Sequence, residues 1–257
     1  MSETKKSYTQ TLKSFSSTFW VGNLLQLTER WAYFSIFSLL ALYLVAGTDE
    51  GGLGLTHTQK GNIMAHITAI LYLLPLFFGV IADRIGYKLS LLISCVIMGG
   101  GYYLMSVASS YWDTYFAFLL ASVGCSFFRP VVQGIIARHT DEGNSTLGFG
   151  FFYMMGNIGG LLGPAMSSYL RTTMGWKVIF IQAVVVIIFN LIVILFFYKE
   201  PKAERKYNIP LLTEIKGSVQ NIVGALKDKK LTILLLLMVG FWAGFNQLLY
   251  TLPHLFL

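Results

Sequence analysis

The chain has 257 residues, 55% of them hydrophobic and only 12% charged, with a mean hydropathy of +0.63 and a net charge of +7. That balance excludes an ordinary water-soluble domain. The basic residues sit in segments between apolar runs, which excludes a nucleic-acid-binding face and points to membrane topology.

Crossing about 30 Å of hydrocarbon takes roughly 20 apolar residues. By that measure the chain holds six complete spans, 18 to 46, 60 to 82, 89 to 109, 114 to 137, 147 to 171 and 176 to 198, and a seventh at 231 to 257. The expected fold is an all-α membrane protein in three parts: a six-helix transmembrane bundle over 1–198, a linker over 199–230, and the first helix of an incomplete second bundle over 231–257. The run after the polar N-terminal segment is too long for a removable signal peptide and lacks a small-residue cleavage site. Lys5, Lys6, Lys13, Arg84, Lys88, Arg138 and the basic linker (Lys199, Lys202, Arg205, Lys206, Lys216, Lys227, Lys229, Lys230) lie on one side, against Lys60, Arg171 and Lys177 on the other. This places the N-terminus and the linker in the cytoplasm of a multi-pass cell (inner or plasma) membrane protein. Within the linker, Leu211, Leu212, Ile215, Val219, Ile222, Val223 and Leu226 form one helical stripe, an amphipathic helix expected on the cytoplasmic leaflet. The chain stops three residues after His254 without a polar tail, so a truncated chain is expected, whose closed cavity needs a missing C-terminal half or a partner chain.

Polar residues inside the spans carry the functional signal. Gln26, Glu29, Arg30 and Tyr33 follow i, i+3, i+4, i+7 spacing in the first span and share one helical face. An ionised side chain near the bilayer centre costs about 2.5 to 3.5 kcal/mol, so such a face calls for partners or a polar cavity. In the fourth span Ser122, Ser126, Arg129 and Gln133 share a face, with Pro130 removing a backbone hydrogen bond beside Arg129. Glu29 is the only acid in the six complete spans, so with Arg30 and Arg129 it leaves a charge of +1. That excess suits a substrate carrying a carboxylate or another anionic group. The alternative is a static ion network that fixes helix packing. In the fifth span the pairs Gly156/Gly160 and Gly159/Gly163 predict close helix contact, and Asn157 needs a partner or a ligand. His66 is a candidate proton carrier, with a packed core histidine as the alternative. No metal-ligand cluster, nucleophile–base pair or phosphate loop occurs among the intramembrane polar residues, so neither an enzyme nor a cofactor is expected; Cys95 and Cys125 read as buried small residues.

Between the second and third spans, Gly79-Val80-Ile81-Ala82-Asp83-Arg84-Ile85-Gly86-Tyr87-Lys88 resembles the G-x-x-A-D-R-x-G-R-K loop of the major facilitator superfamily, with Tyr87 in place of the first basic residue. Asp83, Arg84 and Gly86 are the candidate conformational gate. Gly175-Trp176-Lys177 resembles the superfamily's fifth-to-sixth connection. A closer resemblance is to its proton-dependent oligopeptide transporter branch. Gln26 to Phe34 is similar to E-x-x-E-R-F-x-Y-Y, Ile70 to Pro75 to the Y-x-x-P stretch, Val123 to Pro130 to G-x-G-x-F-K-P, Gly148 to Pro164, with Phe152 to Gly159, to F-Y-x-x-I-N-x-G, and Phe241-Trp242 with Gln247 to F-W-x-x-x-x-Q. The resemblance implies proton-coupled uptake of di- or tripeptides or related carboxylated solutes by alternating access. Arg30 and Arg129 would receive the carboxylate, Tyr33, Tyr72, Asn157 and Trp242 would line the site, and Glu29 would couple protons. Departures from the pattern are Gln26 for the first glutamate, Phe34 for a tyrosine and Arg129 for a lysine. Two other readings stay open. One is a proton-driven drug or metabolite exporter, suggested by the G-x-x-x-G-P form of Gly159 to Pro164 but opposed by Ser167-Ser168, where a Gly-Gly is expected. The other is a non-transporting membrane sensor or scaffold.

Overall fold

The computed structural model describes residues 8–200 and 211–255, and among them every element is an α-helix. Two units divide the chain between Ala203 and Glu204. The first holds α1 (Tyr8–Ser14), α2 (Ser17–Val45), α3 (His57–Leu73), α4 (Pro75–Ile85), α5 (Tyr87–Val107), α6 (Tyr111–Arg138), α7 (Ser145–Met174) and α8 (Trp176–Phe196). The second holds α9 (Leu211–Ala225) and α10 (Lys229–Leu255).

Local chemistry sets the helix boundaries. The Ser16 side chain accepts from the Phe19 N–H to start α2, Thr56 and Gln59 form a reciprocal capping box at α3, and Ser110 accepts from Asp113 N–H at α6. Pro75, without an N–H, opens α4, and there the second span splits into α3 and α4 with a bend of 45°. Gly86 separates α4 from α5 at φ 95°, in the region that favours glycine, and its N–H still reaches Ala82 O at 3.0 Å.

Helices α5, α6 and α8 are each long and apolar enough to cross a membrane, and the bent α3–α4 pair is so when taken together. Helix α2, at 29 residues, spans about 44 Å, and α7 is one residue longer at 30; both are long enough but carry more polar side chains. Across the first unit α5 packs most extensively on α6, and α2 on α7, with α8 closing against both α5 and α2. Phe19, Leu25, Leu44, Met98, Phe128 and Ile135 are fully buried in this core. On α8, Val185, Ile188, Phe189, Ile192 and Leu195 are exposed at three- and four-residue spacing, a continuous apolar stripe suited to lipid.

Among the described side chains of α9, Val223 is exposed; those of Leu211, Leu212, Val219 and Ile222 lie outside the described residues. Lys5, Lys6, Lys202, Arg205 and Lys206 lie outside them as well.

Candidate functional site

The site grows from the contact of α2 with α7. Gly159 lets the two backbones approach: a Cβ there would overlap Leu27 O and lie 2.8 Å from Arg30 Cβ and 2.9 Å from Trp31 N. One turn on, Ser35 Oγ donates to Gly163 O at 3.2 Å. A turn earlier, a Cβ at Gly156 would sit 3.0 Å from Gln26 Nε2. The small residues of α7 therefore fix the height and rotation of the Gln26–Ser35 stretch, as small-xxx-small helix contacts do.

On that stretch Glu29 is fully buried, and its two oxygens accept from Arg30 Nε at 2.6 Å and Nη2 at 2.7 Å. This bidentate pair joins neighbouring residues, so the face expected to open whole into a cavity is divided. Glu29 turns inside the bundle, and Arg30 stays partly exposed with its charge already matched.

Arg129 comes from α6, which is tied to α3 by Ser126 Oγ donating to Ile70 O at 3.2 Å. Its Nε and Nη2 are out of contact with solvent and have no hydrogen-bond partner. The contact it does make is with Tyr33: its guanidinium carbon lies 4.6 Å from the ring centroid, and the phenol interacts with the guanidinium as well. Arg30 lies 4.8 Å from the same centroid. One ring thus serves two cations, in line with the strength of arginine–aromatic attraction away from water. Phe37 stacks on Tyr33 at 4.8 Å and Phe34 meets it edge-on at 5.1 Å, which orients the ring. Beside Tyr33 a small, mainly apolar void is lined by Ile67, Leu71, Phe118, Ser122 and Cys125.

Of the residues expected at the site, the fold brings together Glu29, Arg30, Tyr33 and Arg129. Tyr72, 65% exposed on α3, and Asn157, exposed on α7, stand on the outer surface of the first unit. Trp242 belongs to the second unit, exposed on α10 against Phe241 at 5.9 Å; the side chain of Gln247 lies outside the described residues. Gln133 is exposed while Ser122 and Ser126 are buried. His66 is exposed, with its ring edge on Tyr115 at 5.7 Å, so it is no packed core residue.

A second cluster forms around Asp83. Its Oδ1 accepts from Tyr87 Oη at 2.9 Å and from Arg138 Nη2 at 2.9 Å, and Arg138 lies 4.3 Å from the Tyr87 ring centroid. Glu200, just past α8, accepts from the N–H groups of Tyr87 and Lys88, each at 2.7 Å, so a carboxylate caps the start of α5. Lys88 Nζ donates to Leu195 O at 3.0 Å. Sequence reasoning found Asp83 and Gly86 but missed Arg138 and Tyr87 as the partners of Asp83, and Glu200 as the cap on the first N–H groups of α5. The one signal available was the aromatic residue where the motif carries a base, since a phenol both donates to a carboxylate and stacks on a guanidinium.

With this geometry in view, residues 19–257 match the family model described as Major Facilitator Superfamily. The chain belongs to that superfamily, a family of multi-pass membrane transporters. It is 27% identical over 156 residues to the Peptide transporter YePEPT of Yersinia enterocolitica, which covers 59% of this chain and 30% of that protein. It is 29% identical over 187 residues to a Na(+), Li(+), K(+)/H(+) antiporter of Planococcus maritimus, covering 70% and 41% respectively. The solved structure of a peptide transporter POT in complex with sulfate shares the fold at a TM-score of 0.71 and 19% identity, over 90% of this chain and 48% of that one. The chain thus spans less than half the length of each of these proteins.

Proposed function

We propose that this protein forms the anion-receiving half of a secondary transporter that takes up di- or tripeptides, or related small carboxylated solutes, together with protons, by alternating access at the bilayer midplane. The observation that carries this reading is Arg129: a guanidinium within a span, without a carboxylate partner among the described residues, and with Nε and Nη2 unbonded. Leaving such donors unpaired in a low-dielectric interior is costly, and an incoming carboxylate satisfies both in one bidentate contact. Arg30 and Arg129 supply the positive charge, Glu29 is the proton-coupling group, and Tyr33, Tyr72 and Asn157 line the path of the substrate. The Asp83 cluster, with Arg84 and Gly86, serves as a gate on the cytoplasmic side. The lipid bilayer surrounds the bundle, and the remainder of the cavity comes from a C-terminal half or a partner chain.

Replacing Arg129 by alanine is expected to abolish uptake of carboxylated substrates in cells while the protein remains folded and inserted. Undiminished uptake would overturn the assignment. Glu29→Gln is expected to remove pH-driven accumulation but preserve counterflow exchange; pH-driven uptake that persists moves the proton site elsewhere, with His66 tested next.

A second reading, a proton-driven drug or metabolite exporter, draws on the form of Gly159 to Pro164 and on the likeness to the Planococcus antiporter. Counterflow with peptides against cationic dyes separates the two, because the unpartnered arginine disfavours cations.

A further inference from the structure

Two features of the Tyr33 cluster sit unevenly with a site in which both arginines receive the anion. The Nε–Nη2 edge of Arg30 is already filled, since each of these atoms reaches a Glu29 oxygen, at 2.6 and 2.7 Å. Arg129 has the reverse arrangement: Nε and Nη2 lack any hydrogen-bond partner, and its hold is Tyr33, whose ring centroid lies 4.6 Å from the guanidinium carbon and whose hydroxyl is also in reach of the group.

We propose that Tyr33 is a positioning residue acting through its aromatic ring, which holds the Arg129 guanidinium in place while leaving its Nε–Nη2 edge open, so that Arg129 alone receives the anionic group and Arg30 remains committed to Glu29. This rests on the function proposed above and divides its labour between the two arginines. The physical reason is that a π system attracts a cation without consuming its N–H donors, whereas a carboxylate partner would occupy them. A ring can therefore stabilise a guanidinium and leave its N–H donors ready for a ligand. The ring is itself fixed: Phe37 stacks on it at 4.8 Å with planes 18° apart, and the same ring stands 4.8 Å from Arg30. Arg30 in turn cannot drift, because Gly159 brings the α7 backbone against its Cβ.

The test grades the electron density of the ring without changing its shape. The purified full chain, with Tyr33 replaced by phenylalanine and then by phenylalanine bearing one, two and three ring fluorines, is titrated with the dipeptide Ala-Ala and with its C-terminal amide. Tyr33→Phe is expected to keep the preference for the free carboxylate. Each fluorine should then weaken Ala-Ala binding stepwise, within the roughly 2- to 30-fold that a cation–π contact commands, and leave the amide unchanged. Arg30→Gln should retain the preference for Ala-Ala over the amide, and Arg129→Gln should lose it. A flat fluorine series, loss of the preference in Tyr33→Phe, or loss in Arg30→Gln as complete as in Arg129→Gln overturns the inference while the transport reading stands. Failure of the unaltered protein to distinguish Ala-Ala from its amide overturns both.

Discussion

Glu200 shows how much one side chain settles. Its two oxygens take the first N–H groups of α5, and the same short stretch brings Asp83, Tyr87 and Arg138 into one hydrogen-bonded cluster. Glu200→Gln weakens both charge-assisted bonds, and the expected loss is about 1 kcal/mol of stability, the usual scale for a helix N-cap. It is read as a lowered melting temperature of the detergent-purified protein, and an unchanged value would show that the cap contributes nothing. Asp83→Asn is different. The Asp83–Arg138 pair is about half exposed, and such pairs contribute little to stability. Its expected effect is on the balance between open and closed gate states, seen as altered uptake rate with an unchanged melting temperature. A change in melting temperature with uptake unaltered would assign the pair to structure alone.

At the level of elements, the α2–α7 contact is the frame of the site, and two glycines of α7 test it against each other. At Gly159 any Cβ collides with the α2 backbone, whereas at Gly150 nothing lies within 4 Å. Gly159→Ala is expected to cost about 1 to 3 kcal/mol by overpacking and to weaken substrate binding by shifting the stretch of α2 that carries Tyr33. Gly150→Ala should be neutral or slightly stabilising, because alanine is the better helix former. Equal melting temperatures for the two variants would refute a frame role for Gly159. Helix α8 adds a second tie, with Thr28 Oγ1 donating to Asn190 Oδ1 at 2.6 Å inside the bundle. A hydrogen bond between helices in such a place holds register where apolar packing alone is indifferent to sliding.

For the whole molecule, the distribution of basic residues predicts which side of the membrane each connection faces. A cysteine introduced at Thr48, in the exposed turn after α2, should react with a membrane-impermeant maleimide on intact cells. One at Gly143, in the turn between α6 and α7, should react only after permeabilisation. The opposite pattern would invert the proposed topology and place the Asp83 cluster on the outer side. Both positions are exposed, so lack of access through burial does not confuse the outcome.

The sequence by itself marked the apolar runs and their order, because a membrane span is written in local terms of length and hydropathy, whereas the break of the second span at Pro75 and the short α1 appeared only in the structure. It also marked Glu29, Arg30 and Arg129, since a charge in an apolar run is conspicuous wherever its partner lies. What only the tertiary structure decided is who pairs with whom. Glu29 was legible as one member of a cavity-facing set, yet it binds Arg30 and turns inward. Asp83 reaches Arg138 across 55 positions of sequence, and Glu200 reaches Tyr87 across 113. Such pairings depend on the rotation of each helix about its axis, and that rotation is set by where small residues such as Gly159 admit a neighbouring backbone. Spacing along one helix carries no record of it, which is why the open edge of Arg129 and the ring that holds it emerged only once α2, α6 and α7 were packed together.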